Sequence, residues 1–335
     1  MSLNVKEFKK NAYRITKERN ITALRVRVPG GHLEAKYLTI LQQIAEEYGD
    51  GNLHITTRQG FEITGIPMDK VEEVNKKVAP LIEGMEKGIG VEIGNPEDGY
   101  PAAGTRNVSA CIGNKVCRYA KYDTTKLAQR IERNIFPNDF HVKIAVSGCQ
   151  NDCIKAHMQD YGVLGMDLPV YDAYRCISCG VCVKNCKKRA TGALKFENYK
   201  VVRDEDKCIG CGECISKCPT NAWTRDTSKK YYKLLIMGRT GKRNPRLAMP
   251  FLEWVTEDAI IDIINNTYQY IDKYIDRSLA KEHVGYIVDR TGFQTYKEEV
   301  LKGVELNPEC RIAEHIDWPG YKTNTSNNFT KVGNK

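Results

Sequence analysis

Long apolar runs are absent from this sequence of 335 residues. No stretch approaches the roughly 18 consecutive apolar residues that a membrane-spanning helix needs, so we expect no membrane span. Residues 1–13 are charged and lack the apolar core of a signal peptide, which predicts a cytoplasmic protein. No segment matches a nicotinamide or flavin fingerprint. The basic turn at residues 238–242 also lacks the spacing of a nucleotide-binding phosphate loop.

Cysteine, in contrast, is abundant, with 13 residues in the chain. In a protein that is not exported, this number indicates metal ligands rather than disulfides. Twelve of the cysteines fall into three sets of four by their spacing. Cys310 belongs to no set, and we interpret it as a structural or surface thiol.

The first set consists of two pairs, Cys111 with Cys117 and Cys149 with Cys153. Four cysteines brought together by the fold can ligate a 4Fe-4S cluster. We expect one helix to begin at Cys117 and another near Cys149, which would place Cys149 and Cys153 one turn apart on one face. Two alternatives stay open on spacing alone. Any one of these thiols could be a small buried hydrophobe, and a zinc site is possible, although its ligand pairs are usually closer than Cys111 and Cys117.

The other two sets form a double run within residues 172–226. Each run has the spacing Cys-x2-Cys-x2-Cys-x3-Cys of bacterial two-cluster ferredoxins, in which the fourth cysteine of each run ligates the other cluster. A zinc interpretation of eight cysteines explains this repeated spacing poorly. The predicted ligands are Cys176, Cys179, Cys182 and Cys218 for one cluster, and Cys208, Cys211, Cys214 and Cys186 for the other.

The remaining residues predict a mixture of strands and helices. Residues 21–85 follow a β-α-β-β-α order, which fits a small open sheet with helices on one side. Residues 140–146 alternate like a strand that would carry His141, Lys143 and Ala145 on one face. From pattern alone, the arginines near the first strands, Arg25, Arg27 and Arg58, are best explained as a solvated sheet face.

The formal net charge is +9. Because the lysines and arginines are spread along the chain, we do not expect a nucleic-acid surface. Anionic cofactors and an anionic substrate explain the basic excess better. A tetrathiolate 4Fe-4S cluster carries roughly −2 when oxidised, and a cofactor rich in carboxylates would offset the rest.

The spacing Cys-x5-Cys followed by Ser-Gly-Cys-x3-Cys resembles the signature of the sirohaem-dependent sulfite and nitrite reductases. The resemblance implies that Cys153 bridges its cluster to the sirohaem iron. Residues 27–31 and 56–59 are similar to family segments that hold sirohaem carboxylates and the substrate anion. The implied cofactor contacts are Thr56, Arg58, Gln59 and, in the basic turn, Arg239. The implied substrate residues are Arg27, Arg106, His141 and Lys143.

Three features depart from the family pattern. His141 stands where the family has a lysine, and Tyr161 stands where it usually has an aliphatic residue. The two copies of the family's repeat are reduced to one in this chain. A single chain therefore carries the cluster cysteines and the substrate cations that two-repeat relatives divide between their repeats, which implies a possible homodimer.

The resemblance implies an α+β fold, namely a single nitrite/sulfite reductase repeat with an inserted ferredoxin module. We predict a ferredoxin-like half domain at residues 1–95 and the ferredoxin insertion at 172–226. The sirohaem and 4Fe-4S domain would comprise 96–171 and 227–310, followed by a tail at 311–335. The end of that tail, rich in Asn, Thr and Gly, is predicted to be disordered.

The implied reaction is the six-electron reduction of sulfite to sulfide, with one sirohaem and three 4Fe-4S clusters. Electrons would come from iron–sulfur and flavin/NADH subunits of the same complex. Two alternatives remain. Nitrite is also a small anion that accepts six electrons, and the His141 departure keeps a nitrite reductase open. The chain could instead be an electron-transfer subunit whose haem site is vestigial.

Overall fold

The computed structural model describes residues 12–91, 107–136, 138, 140–279 and 282–318. Helices and strands are mixed along these residues, as expected for an α+β protein. None of the described helices is both long enough and apolar enough to cross a membrane. Two sheets organise most of the chain, and two short two-stranded ladders at residues 169–225 interrupt the second sheet in sequence.

The first sheet has four antiparallel strands in the order β1-β2-β4-β3. Helices α1 and α2 bury Leu41, Ile44, Val74 and Val78 in the same apolar core as the strand residue Ile63. The predicted β-α-β-β-α order is therefore confirmed, with one extra short strand before it. Its elements are β1 Tyr13–Ile15, β2 Ile21–Val26, α1 Leu38–Glu47, β3 Leu53–Ile55, β4 Phe61–Pro67 and α2 Val71–Ile89.

The chain then enters a second sheet through three parallel strands joined by one long helix. The elements are β5 Ser109–Ala110, α3 Thr124–Ile135, β6 Ile144–Ser147 and β7 Tyr161–Met166. Strand β6 pairs with β5 on one side and β7 on the other. The alternation that predicted a strand over 140–146 holds only in part, because the strand begins at Ile144, after His141 and Lys143.

The segment that follows carries the eight cysteines of the double run around a small core of its own. The elements are β8 Pro169–Tyr171, α4 Val181–Arg189, β9 Leu194–Glu197, β10 Lys200–Arg203, α5 Glu213–Lys217 and β11 Trp223–Arg225. Strands β8 and β11 pair with each other, which brings the two ends of this segment together. Trp223 packs with Cys182, Cys186 and Cys214 in the core.

The last part of the chain completes the six-stranded sheet, whose order is β14-β13-β12-β7-β6-β5. Its elements are β12 Tyr231–Ile236, β13 Met249–Val255, α6 Glu257–Tyr274, α7 Val284–Thr291, α8 Phe293–Leu301 and β14 Arg311–Ile312. Gly292, with φ at +90°, separates α7 from α8. The terminal stretch expected to be disordered falls mainly at residues 319–335, outside the described residues.

Two predicted helix starts at the first cysteine set are wrong. No helix begins near Cys149, because Asp152 and Lys155 adopt positive φ angles and the carboxylate of Asp152 accepts the amides of Ala156 and His157. Helix α3 begins at Thr124 rather than at Cys117. Asp123 is its N-cap, since the side chain accepts a hydrogen bond from the amide of Lys126.

A buried ion cluster joins the first sheet to helix α3. Arg27, immediately after β2, is almost completely buried and donates to Glu132, while its second terminal nitrogen lies 3.6 Å from Glu86. The guanidinium also lies over the ring of Phe136. Two carboxylates thus share one buried cation. Burial raises the pKa of Glu86 to about 7, an effect that Arg27 opposes and Glu132 reinforces.

We predict that Glu86→Gln stabilises the protein at pH 8 but not at pH 4.5. A carboxyl group whose pKa is raised in the folded state contributes stability when the pH is below its pKa in the unfolded chain. This contribution is lost as the pH rises through about 7. Removing the ionisable group should therefore raise the thermal midpoint at pH 8. The corresponding gain in the free energy of unfolding is up to about 3 kcal/mol. Glu83→Gln, at an exposed position on the same helix, is the control. An effect of equal size at both pH values would contradict the assignment.

Candidate functional site

The segment that leads into Cys111 is held by side chains from the other sheet. Gln59 donates its amide N–H to the carbonyl of Ala110 at 2.7 Å and accepts the amide of Ala110 at 2.8 Å, as a neighbouring strand would. Arg58 donates to the carbonyl of Asn107, and Glu132 accepts the amide of Val108. The polar groups of this edge segment are thus satisfied by side chains, which fixes the position at which Cys111 emerges.

The first cysteine set converges at the end of β5 and β6. The amide of Cys111 donates to the carbonyl of Val146, and the sulfur of Cys111 accepts the amide of Gly148 at 3.2 Å. Burial raises the pKa of the neighbouring Cys149 thiol, and the nearby Cys117 and Cys153 add to this effect. All four predicted thiols of this set therefore lie in one region.

Cys153 differs from the other three thiols because it is exposed. The loops that carry the set also expose large apolar side chains, Ile112 and Val116, and Met158 follows a few residues after Cys153. The same loops carry the exposed cations Lys115, Arg118 and Lys155. An exposed thiolate ligand with apolar and basic neighbours has the chemistry needed to bind a flat apolar ring that carries carboxylates.

The eight cysteines of the double run separate into the two interleaved sets. One recess is lined by Cys176, Cys179, Cys182 and Cys218, together with Trp223. A second recess is lined by Cys186, Cys208, Cys211 and Cys214. In each recess, three thiols of one run meet the fourth thiol of the other run.

These sites fit anionic iron–sulfur clusters in a further respect, because backbone amides are directed at the sulfurs. The sulfur of Cys218 accepts the amide of Ala222 at 3.2 Å, and that of Cys176 accepts the amide of Ser178 at 3.4 Å. Such bonds stabilise negative charge on a cluster and its thiolates. Among the described residues, no group of three or more His, Cys, Asp or Glu side chains is arranged to hold a single metal ion.

Lys143 and His141 lie on the segment that precedes β6, and both are half-buried. The backbone amide of Lys143 donates to the carboxylate of Asp160 at 2.8 Å, and its ammonium lies 3.4 Å from the carbonyl of Thr240. Burial raises the pKa of Asp160 to about 6, although the charges of Lys143, Arg58 and Lys242 oppose the shift. The ring of His141 stacks on that of His283. Lys143 thus lies near Arg58 and Lys242 around Asp160, while His141 packs on His283.

The other predicted binding residues contact protein groups in the structure. Arg58 bonds to the side chain of Gln159 and to the carbonyl of Ile144. Arg239 is buried, pairs with Asp289 at 2.8 Å and lies over the ring of Tyr286. Thr56 accepts the amide of Gly60 within its own turn. Arg27, as described, is enclosed by Glu132 and Glu86 rather than lying on a solvated sheet face, and Arg106 lies outside the described residues.

A buried ion pair connects the first cysteine set to the double run. Asp167, just after β7, lies 2.6 Å from the ammonium of Lys121 and accepts two bonds of 2.8 Å from Arg225. The amide of Lys121 donates to the carbonyl of Gly148, next to Cys149. The amide of Asp167 donates to the carbonyl of Gly210, within the Cys208–Cys214 loop. We call Lys121, Asp167 and Arg225 the junction.

Sequence reasoning did not identify Asp160 or the junction. Neither belongs to a motif, and their partners are far away in sequence, so no local signal could have indicated them. Tyr161 is different, because it is a visible departure from the family pattern. Its hydroxyl bonds to Thr267 at 2.6 Å and to Tyr296, which satisfies a polar group that the usual aliphatic residue lacks.

Comparison with known proteins gives consistent results. The family model "Nitrite and sulphite reductase 4Fe-4S domain" matches residues 102–307, and "Nitrite/Sulfite reductase ferredoxin-like half domain" matches residues 14–81. The chain is 42% identical to the C subunit of anaerobic sulfite reductase from Salmonella typhimurium, over 94% of this chain and 93% of that protein. It is 31% identical to the coenzyme F420-dependent sulfite reductase of Methanocaldococcus jannaschii, over 83% of this chain and 42% of that protein.

The fold is also similar to that of a solved structure. The crystal structure of dissimilatory sulfite reductase I superposes with a TM-score of 0.62 at 17% sequence identity. The match covers 89% of this chain and 74% of that one. At this identity the similarity concerns the fold alone.

We predict that Asp167→Asn loosens the attachment of residues 172–226. The change removes the negative charge between two cations, and leaving Lys121 buried without a counter-charge typically costs about 3–5 kcal/mol. The expected result is a thermal midpoint lower by several degrees and faster proteolysis within this segment. Asp226→Asn is the matched control, because Asp226 is exposed and bonds to Ser228 within its own turn. Equal effects of the two changes would show that the junction contributes nothing.

Proposed function

The chain belongs to the nitrite and sulphite reductase family, and from this premise we propose that it reduces sulfite to sulfide in a six-electron reaction. The observation that carries the proposal is the convergence of Cys111, Cys117, Cys149 and the exposed Cys153 in one region, on loops that also carry exposed cations. Similarity to two proteins that are named as sulfite reductases supports the choice of substrate.

We further propose that the chain holds one sirohaem and three 4Fe-4S clusters, one for each set of cysteines. The set around Cys149 would hold the catalytic cluster, with Cys153 as the thiolate shared with the sirohaem iron. When bound, the sirohaem would supply the iron at which the substrate is reduced. The two recesses of the double run would hold a relay that delivers electrons one at a time. The remaining residues determine how the anion and its protons are handled.

Lys143 is the residue that we propose to bind the substrate anion. Its backbone is fixed by Asp160 and its ammonium is half-buried, so that a charge-assisted contact can form in a partly water-excluded site. His141 lies two residues away and can hold a proton for an oxygen that leaves as water. Arg106 is proposed as a second cation on the family resemblance alone.

The arginines that already contact the protein have a different proposed role. For Arg27 to reach the anion, its ion pairs with Glu132 and Glu86 would have to be exchanged. We therefore propose that Arg27 positions the segment before Cys111 through Glu132. Arg58, Gln59, Thr56 and Arg239 would hold the walls of the sirohaem site through their protein contacts.

The direct test of the function is to purify the protein anaerobically and assay sulfite and nitrite side by side. We expect faster turnover with sulfite, with sulfide as the product. His141→Lys restores the residue that the family usually has. If His141 contributes to the choice of anion, the ratio of sulfite to nitrite rates should move. A wild-type protein that reduces nitrite but not sulfite would contradict the proposal.

We predict that Cys153→Ser abolishes the magnetic coupling between haem and cluster. The change removes the proposed shared thiolate while leaving the ligands of the two other sets in place. Electron paramagnetic resonance should therefore lose the coupled signal and keep the signals of two ordinary reduced clusters. Cys310→Ser, which changes a thiol outside all three sets, is the control and should leave the spectrum unchanged. A coupled signal that survives Cys153→Ser would show that another ligand forms the bridge.

We predict that Lys143→Met retains the cofactors but loses most sulfite turnover. Removal of one charge-assisted contact in the transition state typically costs about 2.7–4 kcal/mol, or roughly 100- to 1000-fold in kcat. Lys126→Met, at an exposed position on α3, is the control. Steady-state rates with the cofactor content verified by absorbance provide the measurement. Unchanged turnover in Lys143→Met would place the anion elsewhere.

For the assembly, we propose partner subunits that donate electrons, as the name of the Salmonella relative implies for that protein. A symmetric homodimer in which each site borrows Lys143 from the other chain is a further proposal. Arg27 is enclosed within its own chain, so it is not expected to be shared. Co-expression of a Cys153→Ser chain with a Lys143→Met chain separates the cases. In a shared-site dimer one intact site forms and activity returns, whereas chains with independent sites give no rescue.

A further inference from the structure

The two recesses of the double run have different surroundings. The recess of Cys186, Cys208, Cys211 and Cys214 lies beside the junction. Gly212 comes so close to Asp167 and Lys121 that a Cβ atom there would lie 2.2 Å from the carboxylate. Gly210 is similarly close to Trp254, and Cys208 packs in the same apolar cluster as Met166 and Trp254. We call this recess the inner one, since its loop contacts the part of the chain that carries Cys149.

The recess of Cys176, Cys179, Cys182 and Cys218, the outer recess, presents a different surface. Cys179 is exposed, and Ile177 between the first two thiols is 65% exposed. Two tyrosines are nearby in the chain, and both project into solvent, Tyr174 completely and Tyr199 to 87%. Ser178 donates to the carbonyl of Tyr199, which ties the β9–β10 turn to the cysteine loop. We call Tyr174, Ile177 and Tyr199 the outer face.

The backbone at Tyr199 is unusual for an exposed aromatic residue. Asn198 and Tyr199 form a two-residue connection between β9 and β10, and both have positive φ angles of 48° and 62°. Such turns favour glycine at the second position, because a side chain is strained at a positive φ angle. Tyr199 has little packing to offset this strain. Strain that is retained at an exposed position points to a role of the side chain in recognition.

The charge of this half of the segment indicates what kind of partner fits. Residues 172–202 contain seven lysines and arginines, all exposed, against two carboxylates. Residues 203–217 have three basic residues against four carboxylates. The excess of positive charge is thus confined to the half that contains the outer face. An apolar centre within a basic field favours a protein whose own surface is acidic.

We propose that the outer face is the docking site of an acidic electron-donor protein that carries its own one-electron centre. This proposal rests on the proposed relay function. An electron would pass from the reduced donor to the cluster of the outer recess, oxidising the donor by one electron, and then to the inner cluster. From there it would cross the junction to the cluster of Cys111, Cys117, Cys149 and Cys153. The order of electron transfer, from the outer cluster to the inner one, follows from the position of the inner recess next to the junction.

The test uses the full holoprotein and the hydroquinone of an acidic flavodoxin as the probe. The double variant Tyr174→Ala, Tyr199→Gly removes both aromatic side chains. Glycine is favoured at the φ angle of Tyr199, so this substitution should not destabilise the turn. Leu279→Ala, which removes an exposed apolar side chain elsewhere in the chain, is the matched control. Titanium(III) citrate, a small reductant that requires no docking surface, reports on the clusters themselves.

The bimolecular rate of cluster reduction is measured by stopped-flow absorbance. We expect the double variant to lower the rate of reduction by flavodoxin at least tenfold. Leu279→Ala should leave this rate unchanged, and the rates with titanium(III) citrate should be the same in all three proteins. Salt should slow the wild-type reaction with flavodoxin, since the attraction is electrostatic. Equal flavodoxin rates in the wild type and the double variant, or no salt dependence, would overturn the docking site alone. A wild-type protein without clusters reducible by titanium would overturn the relay and, with it, this proposal.

Discussion

The position of the first cysteine set depends on one edge segment, residues 107–110, and on the side chains that hold it. Strand β5 is only two residues long and pairs with β6 on one side. On its other side Gln59 completes the ladder as a strand would, and Glu132 accepts the amide of Val108. A two-residue strand has little stability of its own. The half domain therefore serves as the support that places Cys111 opposite Gly148 and Cys149.

The same constraint explains why several arginines are buried in the structure. Arg27 neutralises Glu132, which otherwise would be a buried carboxylate without a cation, and Arg58 bonds to the carbonyls of Asn107, just before β5, and of Ile144 in β6. These residues connect the half domain to the larger sheet. Lys143 is held at its backbone, because its amide donates to Asp160, and its ammonium lies 3.4 Å from the carbonyl of Thr240.

Much of the fold was predictable from sequence because periodicity and cysteine spacing are local signals. The β-α-β-β-α order and the interleaving of Cys186 and Cys218 with the opposite runs follow from such patterns. The helix expected at Cys149 does not form, because the carboxylate of Asp152 bonds to the following amides and the chain turns instead. The environment of Arg27 was not predictable either, since Glu86 and Glu132 are 59 and 105 residues away in sequence. Contacts between segments that are distant in sequence cannot be inferred from the local spacing of residues.

The central claim is that three sets of cysteines hold three clusters and that one of these is joined to a sirohaem. Mössbauer spectroscopy of protein enriched in iron-57 and isolated without oxygen tests this claim most directly, because it resolves each type of iron in one sample. We predict about twelve cluster irons per chain, with four of them showing magnetic interaction with a single haem iron in the oxidised state. About eight cluster irons without a haem component, or a haem iron that shows no interaction with any cluster, would contradict the account.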